Sequence, residues 1–460
     1  MNLGLIVKNN IKKILSDKDE RNLVIQVALA FLVKGFSLIV SFFSMPLYIK
    51  YFNNDEVLGL WYTILSMIAW LQICDLGLGN GLRNRLTEAL AIGDIRQAKE
   101  YISSTYAALI CLILPIISVL LVVIQFVDLN TFFNIDQAVI SAEAMTVSIS
   151  MLLCGVCLSF VLKTIHGVFY AIQKSSYNNV LSLITSVLPL FYVGFVKSGN
   201  MEQNLLALTV VHVLAINLPM LLATLVLFCG KRMRAVAPTI KSCKVKTAQG
   251  MLGFGLQFFG AQITFTLLIS TNEIVITRYF SAADVVPYSI YLRLFTLVGS
   301  LFMLALTPLW SKITKDFALK RYRRIRATNR ALYAITLLAV VAEFLMATCA
   351  QFVVNIWLGD EAINISTITA LVFAFYGSVY ICNVVLTTVA NGVGDLKTQI
   401  VWYSIFVMSK IPVLNVFAGR GASWDIVILY NAVALLIFCI FQVIWLEKTL
   451  NRLCLNEESK

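Results

Sequence analysis

Apolar runs about as long as a bilayer is thick follow one another along nearly the whole of this 460-residue chain, and that succession limits what it can fold into. A helix that crosses the hydrocarbon needs about 20 mostly apolar residues. Every backbone N–H and C=O inside lipid must also find a partner within the protein, so helices and closed barrels are the available spanning structures. Twelve runs of suitable length can be placed, at 24–48, 57–79, 104–127, 143–172, 179–197, 205–229, 250–277, 286–311, 331–355, 366–391, 400–417 and 426–446. Composition agrees, with 59% of residues hydrophobic and 13% charged, where soluble domains carry about 25% charged residues. The chain reads as an all-α polytopic membrane protein with twelve transmembrane helices.

Basic residues orient it. With the N-terminus in the cytosol, the inside segments hold 28 of the 36 lysines and arginines. The outside loops then hold Lys50, Lys197, Arg278 and Arg420, and Lys34, Lys163, Arg293 and Lys410 fall within spans. Positive charge accumulates on the cytoplasmic side of membrane proteins, so both termini are expected in the cytosol. The net charge of +12 is thus a topology signal. "KRMRAVAPTIKSCKVK" and "KRYRRIR" each abut an apolar run, which favours a membrane surface over nucleic acid. Residues 1–23 place Leu3, Val7, Ile11 and Ile14 at helical spacing opposite Lys8, Lys12 and Lys13, the pattern of a basic amphipathic helix on the inner surface. None of the ten cysteines falls in an outside loop, so no disulfide framework is implied.

The longest polar linker, 230–249, divides the chain into 24–229 and 250–446, six runs each, with 447–460 as a cytosolic tail. The halves share a trace of duplication. "KYFNNDEV" (Lys50–Val57) closes the first run, and "RYFSAADV" (Arg278–Val285) closes the seventh. Both runs cross in the same direction, which makes the repeat parallel and predicts two six-helix bundles about an axis along the membrane normal.

Ionisable groups inside the spans are the candidates for function. A Lys or Arg at the centre of a span costs about 2.5–3.5 kcal/mol, so such residues usually face a bundle interior or an aqueous cavity. Four spans carry polar residues in helical phase with a charge: Lys34 with Ser37, Ser41 and Ser44; Ser159, Lys163, His166 and Tyr170; Gln262, Thr266, Ser270, Glu273 and Thr277; and Ser289, Arg293, Thr296, Ser300 and Thr307. Lys34, Arg293, Lys163 and Lys410 outnumber the acids Glu273, Glu343 and Asp75. A cationic lumen suits an anion such as pyrophosphate, gripped by Arg in two-pronged fashion and by Lys as a point charge. His166 is a secondary candidate on the Lys163 stripe. Glu273, Asp75 and Glu343 are candidates for ion coupling, with Glu273 and Arg293 expected to pair near the outer surface. His212, among apolar neighbours, is expected to pack between helices.

"ICDLGLGNGLRNRL" (Ile73–Leu86) imitates a nucleotide-binding glycine loop. Such loops follow a strand in a soluble βαβ unit, whereas this one follows an apolar run. Its glycines are expected to allow close helix approach, with Arg83 and Arg85 anchoring the inner face. "MPLYIKYFNNDEVLGLWYTILSMIAWLQICDLGLGNGLRNRL", then "GDIRQAKEYISST", and "TNEIVITRYFSAADVVPYSIYLRLF" with "PLWSKI" in the second half, resemble the polysaccharide transporter family of lipid-linked oligosaccharide flippases. That resemblance implies the multidrug/oligosaccharidyl-lipid/polysaccharide exporter fold, two six-helix bundles in a V around a central cavity. It implies an undecaprenyl-pyrophosphate-linked oligosaccharide, such as an O-antigen repeat unit of lipopolysaccharide, moved across the bacterial inner membrane. The polysaccharide polymerase and chain-length machinery would be its partners, alongside membrane lipid.

On this reading Lys34 and Arg293 hold the pyrophosphate, while Lys163 and Lys410 extend the positive lumen. No catalytic constellation, metal site or cofactor is implied, and no nucleic-acid partner. Two rivals make different demands. A drug or cation antiporter of the same fold calls for a carboxylate-rich lumen. A membrane oligosaccharide polymerase or ligase calls for a sizeable outer loop bearing catalytic groups.

Overall fold

The computed structural model of the protein describes residues 18–458 apart from 74–76, 134, 197–198, 231–232, 281–283 and 359–362. The described residues form helices and turns without a strand. They fall into two compact units, Met1–Leu256 and Gln257–Lys460. The first holds α1 (Lys18–Phe52), α2 (Asp55–Ile73), α3 (Leu78–Ile92), α4 (Ile95–Val123), α5 (Leu129–Phe133), α6 (Ala142–Leu162), α7 (Thr164–Ala171), α8 (Ser175–Phe195) and α9 (Met201–Cys229). Helix α10 (Val245–Ser270) starts in the first unit and runs into the second. There follow α11 (Asn272–Tyr279), α12 (Val285–Ala318), α13 (Tyr322–Leu358), α14 (Thr367–Val393), α15 (Lys397–Ala418) and α16 (Ile426–Glu458).

Ten helical stretches among the described residues are long and apolar enough to cross a membrane, and they fall on the third to twelfth predicted runs. The first two runs are occupied by α1 and α2, of 35 and 19 residues. The protein is a multi-pass membrane protein. The amphipathic segment predicted for 1–23 lies outside the described residues up to residue 17, and 18–23 belong to α1.

Local sequence sets the helix ends. Asp94 accepts from the Gln97 N–H at 2.9 Å to start α4, and Ser141 accepts from Ala144 N–H at 3.3 Å to start α6. Short polar side chains at these positions satisfy N–H groups that have no partner within the helix. Gly93 (φ 80°) and Gly394 (φ 82°) end α3 and α14 in the left-handed region, where a Cβ is penalised.

In the second unit one helix is enclosed by others. Helix α14 packs against α12, α13 and α16, with Phe373, Ala374 and Ile381 fully buried. In the first unit α9 packs against α6 and α8. Trp61 is fully buried there, its ring edge-on to His212 at 5.6 Å between centroids. His212 is thus a packing residue.

The glycine-rich stretch opens α3. Gly77 adopts φ 64° at its start, and a Cβ added at Gly167 of α7 would stand 2.7 Å from the Gly79 carbonyl oxygen. Backbone meets backbone there, as the sequence anticipated. The basic linker docks onto α4: Thr239 and Lys244 donate their N–H groups to Ser103 and Ser104 at 3.0 and 3.1 Å. The Lys244 ammonium lies 2.6 Å from the Glu100 carboxylate, which also accepts from the Thr247 hydroxyl.

Candidate functional site

Two of the predicted spans are broken partway along their length, and a lysine stands at each break. In the first unit α6 stops at Leu162 and α7 resumes at Thr164. The Ser159 hydroxyl donates to the Val156 carbonyl at 2.6 Å, and the His166 N–H reaches back to the Lys163 carbonyl at 2.9 Å. Such tight turns re-satisfy backbone groups that a break sets free.

A cavity of about 210 Å³ opens at this break. Ser159, Lys163 and His166 line one side, Ser182, Thr185 and Ser186 of α8 the other, with Leu181, Ile216 and Met220 beside them. The hydroxyls of Ser159, Thr185 and Ser186 donate to main-chain carbonyls at 2.6, 3.0 and 3.1 Å. Each hydroxyl proton is thereby placed, and what remains at each oxygen is acceptor capacity. The lysine there can hold an anionic group, while the hydroxyl oxygens beside it can accept hydrogen bonds from sugar hydroxyls. Three of the four residues of the predicted stripe meet here. The fourth, Tyr170, is covered by the Arg83 guanidinium, 4.3 Å from its ring centroid.

Arg83 departs from expectation: it is 2% exposed rather than a surface anchor. Close packing of α3 on α7 carries it inward, where a guanidinium on an aromatic face is favourable. Arg85 stays at the surface, 3.3 Å from Glu88 and over the Phe254 ring at 4.8 Å.

In the second unit the break falls at Thr271, between α10 and α11. Ser, Thr and Asn side chains compete for helix backbone, and the sequence there is Ser270-Thr271-Asn272. Lys410 of α15, 2% exposed, reaches across. Its ammonium donates to the Leu268 carbonyl at 2.6 Å, to Thr271 Oγ1 at 3.0 Å and to Asn272 Oδ1 at 2.6 Å. Asn431 Nδ2 donates to the same Asn272 oxygen at 2.8 Å. All three donors of Lys410 are engaged within its own unit. It ties a broken helix to its neighbours, where the sequence reading placed it along a lumen.

The break also dissolves the polar stripe predicted through Glu273. Glu273 and Arg293 are both exposed, and no ion pair joins them. Both side chains remain on the exposed sides of their helices. On the Arg293 stripe, Thr296, Ser300 and Thr307 bond carbonyls of their own helix at 2.6, 2.7 and 2.8 Å. Lys34 is exposed on α1, and Ser37 bonds the Val33 carbonyl at 2.9 Å. Asp75 lies outside the described residues. Glu343 is fully buried on α13 against Gly377 of α14.

Known proteins bear on this arrangement. Residues 196–367 match the family described as "Polysaccharide biosynthesis protein". A protein of Yersinia pseudotuberculosis named "Putative O-antigen export protein" is 21% identical over 422 residues, 87% of this chain and 88% of that protein. A solved MATE transporter in the bent conformation superposes with a TM-score of 0.76 at 12% identity, covering 96% of this chain and 98% of that one. An outward-facing multidrug resistance MATE family transporter of the MOP superfamily gives 0.72 at 13% identity, covering 96% and 97%. A Vibrio cholerae MATE transporter in its bent form gives 0.67 at 13%, covering 95% and 99%. The solved structures show that the chain has the fold of MATE transporters, and its sequence is similar to that of polysaccharide biosynthesis and O-antigen export proteins.

Proposed function

We propose that the protein is a flippase that moves undecaprenyl-pyrophosphate-linked oligosaccharide units, of O-antigen or a similar surface polysaccharide, from the inner to the outer leaflet of the bacterial inner membrane. Transport proceeds by alternating access, with both termini in the cytosol and the polyprenyl chain remaining in lipid. The observation that carries this reading is the Lys163 cavity, where a cation and hydroxyl acceptors line one space inside an apolar unit. That chemistry matches a phosphorylated sugar. A drug cation would find Lys163 repulsive there. Lys34 and Arg293 are exposed cations and remain candidates for contact with the pyrophosphate. Glu273 remains a candidate for ion coupling without its expected partner. The related O-antigen export protein supports the substrate class.

The test is chemical. Polyprenyl-linked sugars extracted from a strain lacking the protein should accumulate, with the oligosaccharide accessible to impermeant reagents from the cytosolic face only. Unchanged levels and normal surface polysaccharide would overturn the assignment.

A further inference from the structure

Helix α13 presents Leu332, Thr336, Ala339, Glu343, Ala350 and Val354 to its own unit, all buried. Glu343 interrupts this face near the middle of the apolar run 331–355 and is 0% exposed. Neither carboxyl oxygen has a hydrogen-bond partner. Its carboxyl lies flat against Gly377: a Cβ there would stand 2.8 Å from Cδ and Oε2 and 3.0 Å from Oε1. The ionisable side chains on the adjoining membrane helices include Arg293 of α12, Tyr376, Tyr380 and Cys382 of α14 and Cys439 of α16; none bonds to Glu343.

An isolated carboxylate removed from water without a partner is strongly unfavourable, and such groups neutralise instead. A metal cation would not resolve this. Oxygen-binding cations take about six ligands, whereas Glu343 brings two oxygens, neither hydrogen-bonded to another group. Among the described residues no cluster of three acidic, His or Cys groups occurs. The ligand small enough to lie between a carboxyl oxygen and the Gly377 backbone is a proton.

We propose that Glu343 is a proton-binding site, held as a neutral carboxylic acid while α13 and α14 are packed at Gly377 and ionised only when water reaches it between them. On release the O–H bond breaks and the proton passes to water, leaving a carboxylate that must stay wetted. Helix closure and protonation are therefore one equilibrium. An outside-acidic gradient biases it, because a ligand shifts a conformational balance by its differential affinity for the two states. The site stands on the unit's own geometry; its use in driving export rests on the transport reading above.

Infrared spectroscopy of the full-length protein in lipid nanodiscs at neutral pH tests the site directly. Labelling with carboxyl-¹³C glutamate should reveal an isotope-shifted carbonyl band of a protonated acid, and Glu343→Gln should remove it. Absence of that band from labelled wild-type protein overturns the proposal without recourse to any variant. So does its persistence in Glu343→Gln. In vesicles with lipid-linked substrate, Glu343→Gln should abolish the acceleration that a pH gradient gives the wild type. Full acceleration in the variant overturns the coupling role and leaves the flippase assignment intact. Absence of transport in both proteins overturns the flippase assignment, and the infrared band then decides the proton site alone.

Discussion

Replacing Lys410 by methionine, of similar length but without donors, isolates what the buried ammonium does. Hydrogen bonds from charged groups contribute about 1.5–3 kcal/mol each, so the three made to Leu268, Thr271 and Asn272 amount to roughly 5–9 kcal/mol. Against this stands the penalty of burying a charge, several kcal/mol per ion, which the substitution relieves. The orphaned acceptors decide the balance. Asn272 Oδ1 keeps Asn431 as a donor at 2.8 Å, and the Thr271 hydroxyl keeps its bond to the Leu267 carbonyl at 2.8 Å. The Leu268 carbonyl loses a donor in a buried place, a loss of about 1–3 kcal/mol. A net destabilisation of about 2–3 kcal/mol follows, and at about 2–4 °C per kcal/mol the midpoint should fall by roughly 5–10 °C. Thermal unfolding of purified protein, followed by tryptophan fluorescence, measures it. A double-mutant cycle with Asn272→Ala should show coupling above about 1 kcal/mol, as residues in one network do. An unchanged or raised midpoint for Lys410→Met would refute this reasoning and return Lys410 to the substrate path.

Lys34→Ala and Arg293→Ala should each abolish surface-polysaccharide export at near-normal protein abundance, while Lys34→Arg and Arg293→Lys retain part of it; full export by both Ala variants, scored by polysaccharide gels, rules out the pyrophosphate grip. Single cysteines at 54, 200 and 422 should react with impermeant thiol reagents in intact spheroplasts, and cysteines at 90, 240 and 322 only after lysis; the opposite pattern inverts the topology. Gly167→Ala should destabilise the first unit by about 1–3 kcal/mol, as overpacking does, because its methyl would stand 2.7 Å from the Gly79 carbonyl oxygen; a wild-type melting temperature would show that α3 and α7 separate freely.

Periodicity served where helices continue and failed where they break. The apolar runs located helices because bilayer thickness fixes their length, and the Ser159–Lys163–His166 spacing found three residues of one cavity. Helical phase carried no further than Thr271. The expected pairing of Glu273 with Arg293 did not form, and Lys410 found partners 138 to 142 residues away. Such distant pairings leave no local signal in one sequence. Asn272 and Asn431 went unnoticed for the same reason, and buried Arg83 looked like an ordinary inner-face cation until the glycines of α3 drew it against Tyr170. A lone acid in an apolar run was the one available sign of Glu343, and its lack of partners needed three dimensions.

The docking of the basic linker on α4 also bears on how the chain is made. Ser103, Ser104 and Glu100 meet Thr239, Lys244 and Thr247 only after the ribosome has passed the sixth membrane helix and begun the seventh. A nascent chain that ends at Cys229 would leave these groups without those contacts. The first half is therefore not closed when its own helices are complete. Its last fastening is the linker and the first turn of α10, so the chain must run past its sixth membrane helix before the first unit is complete.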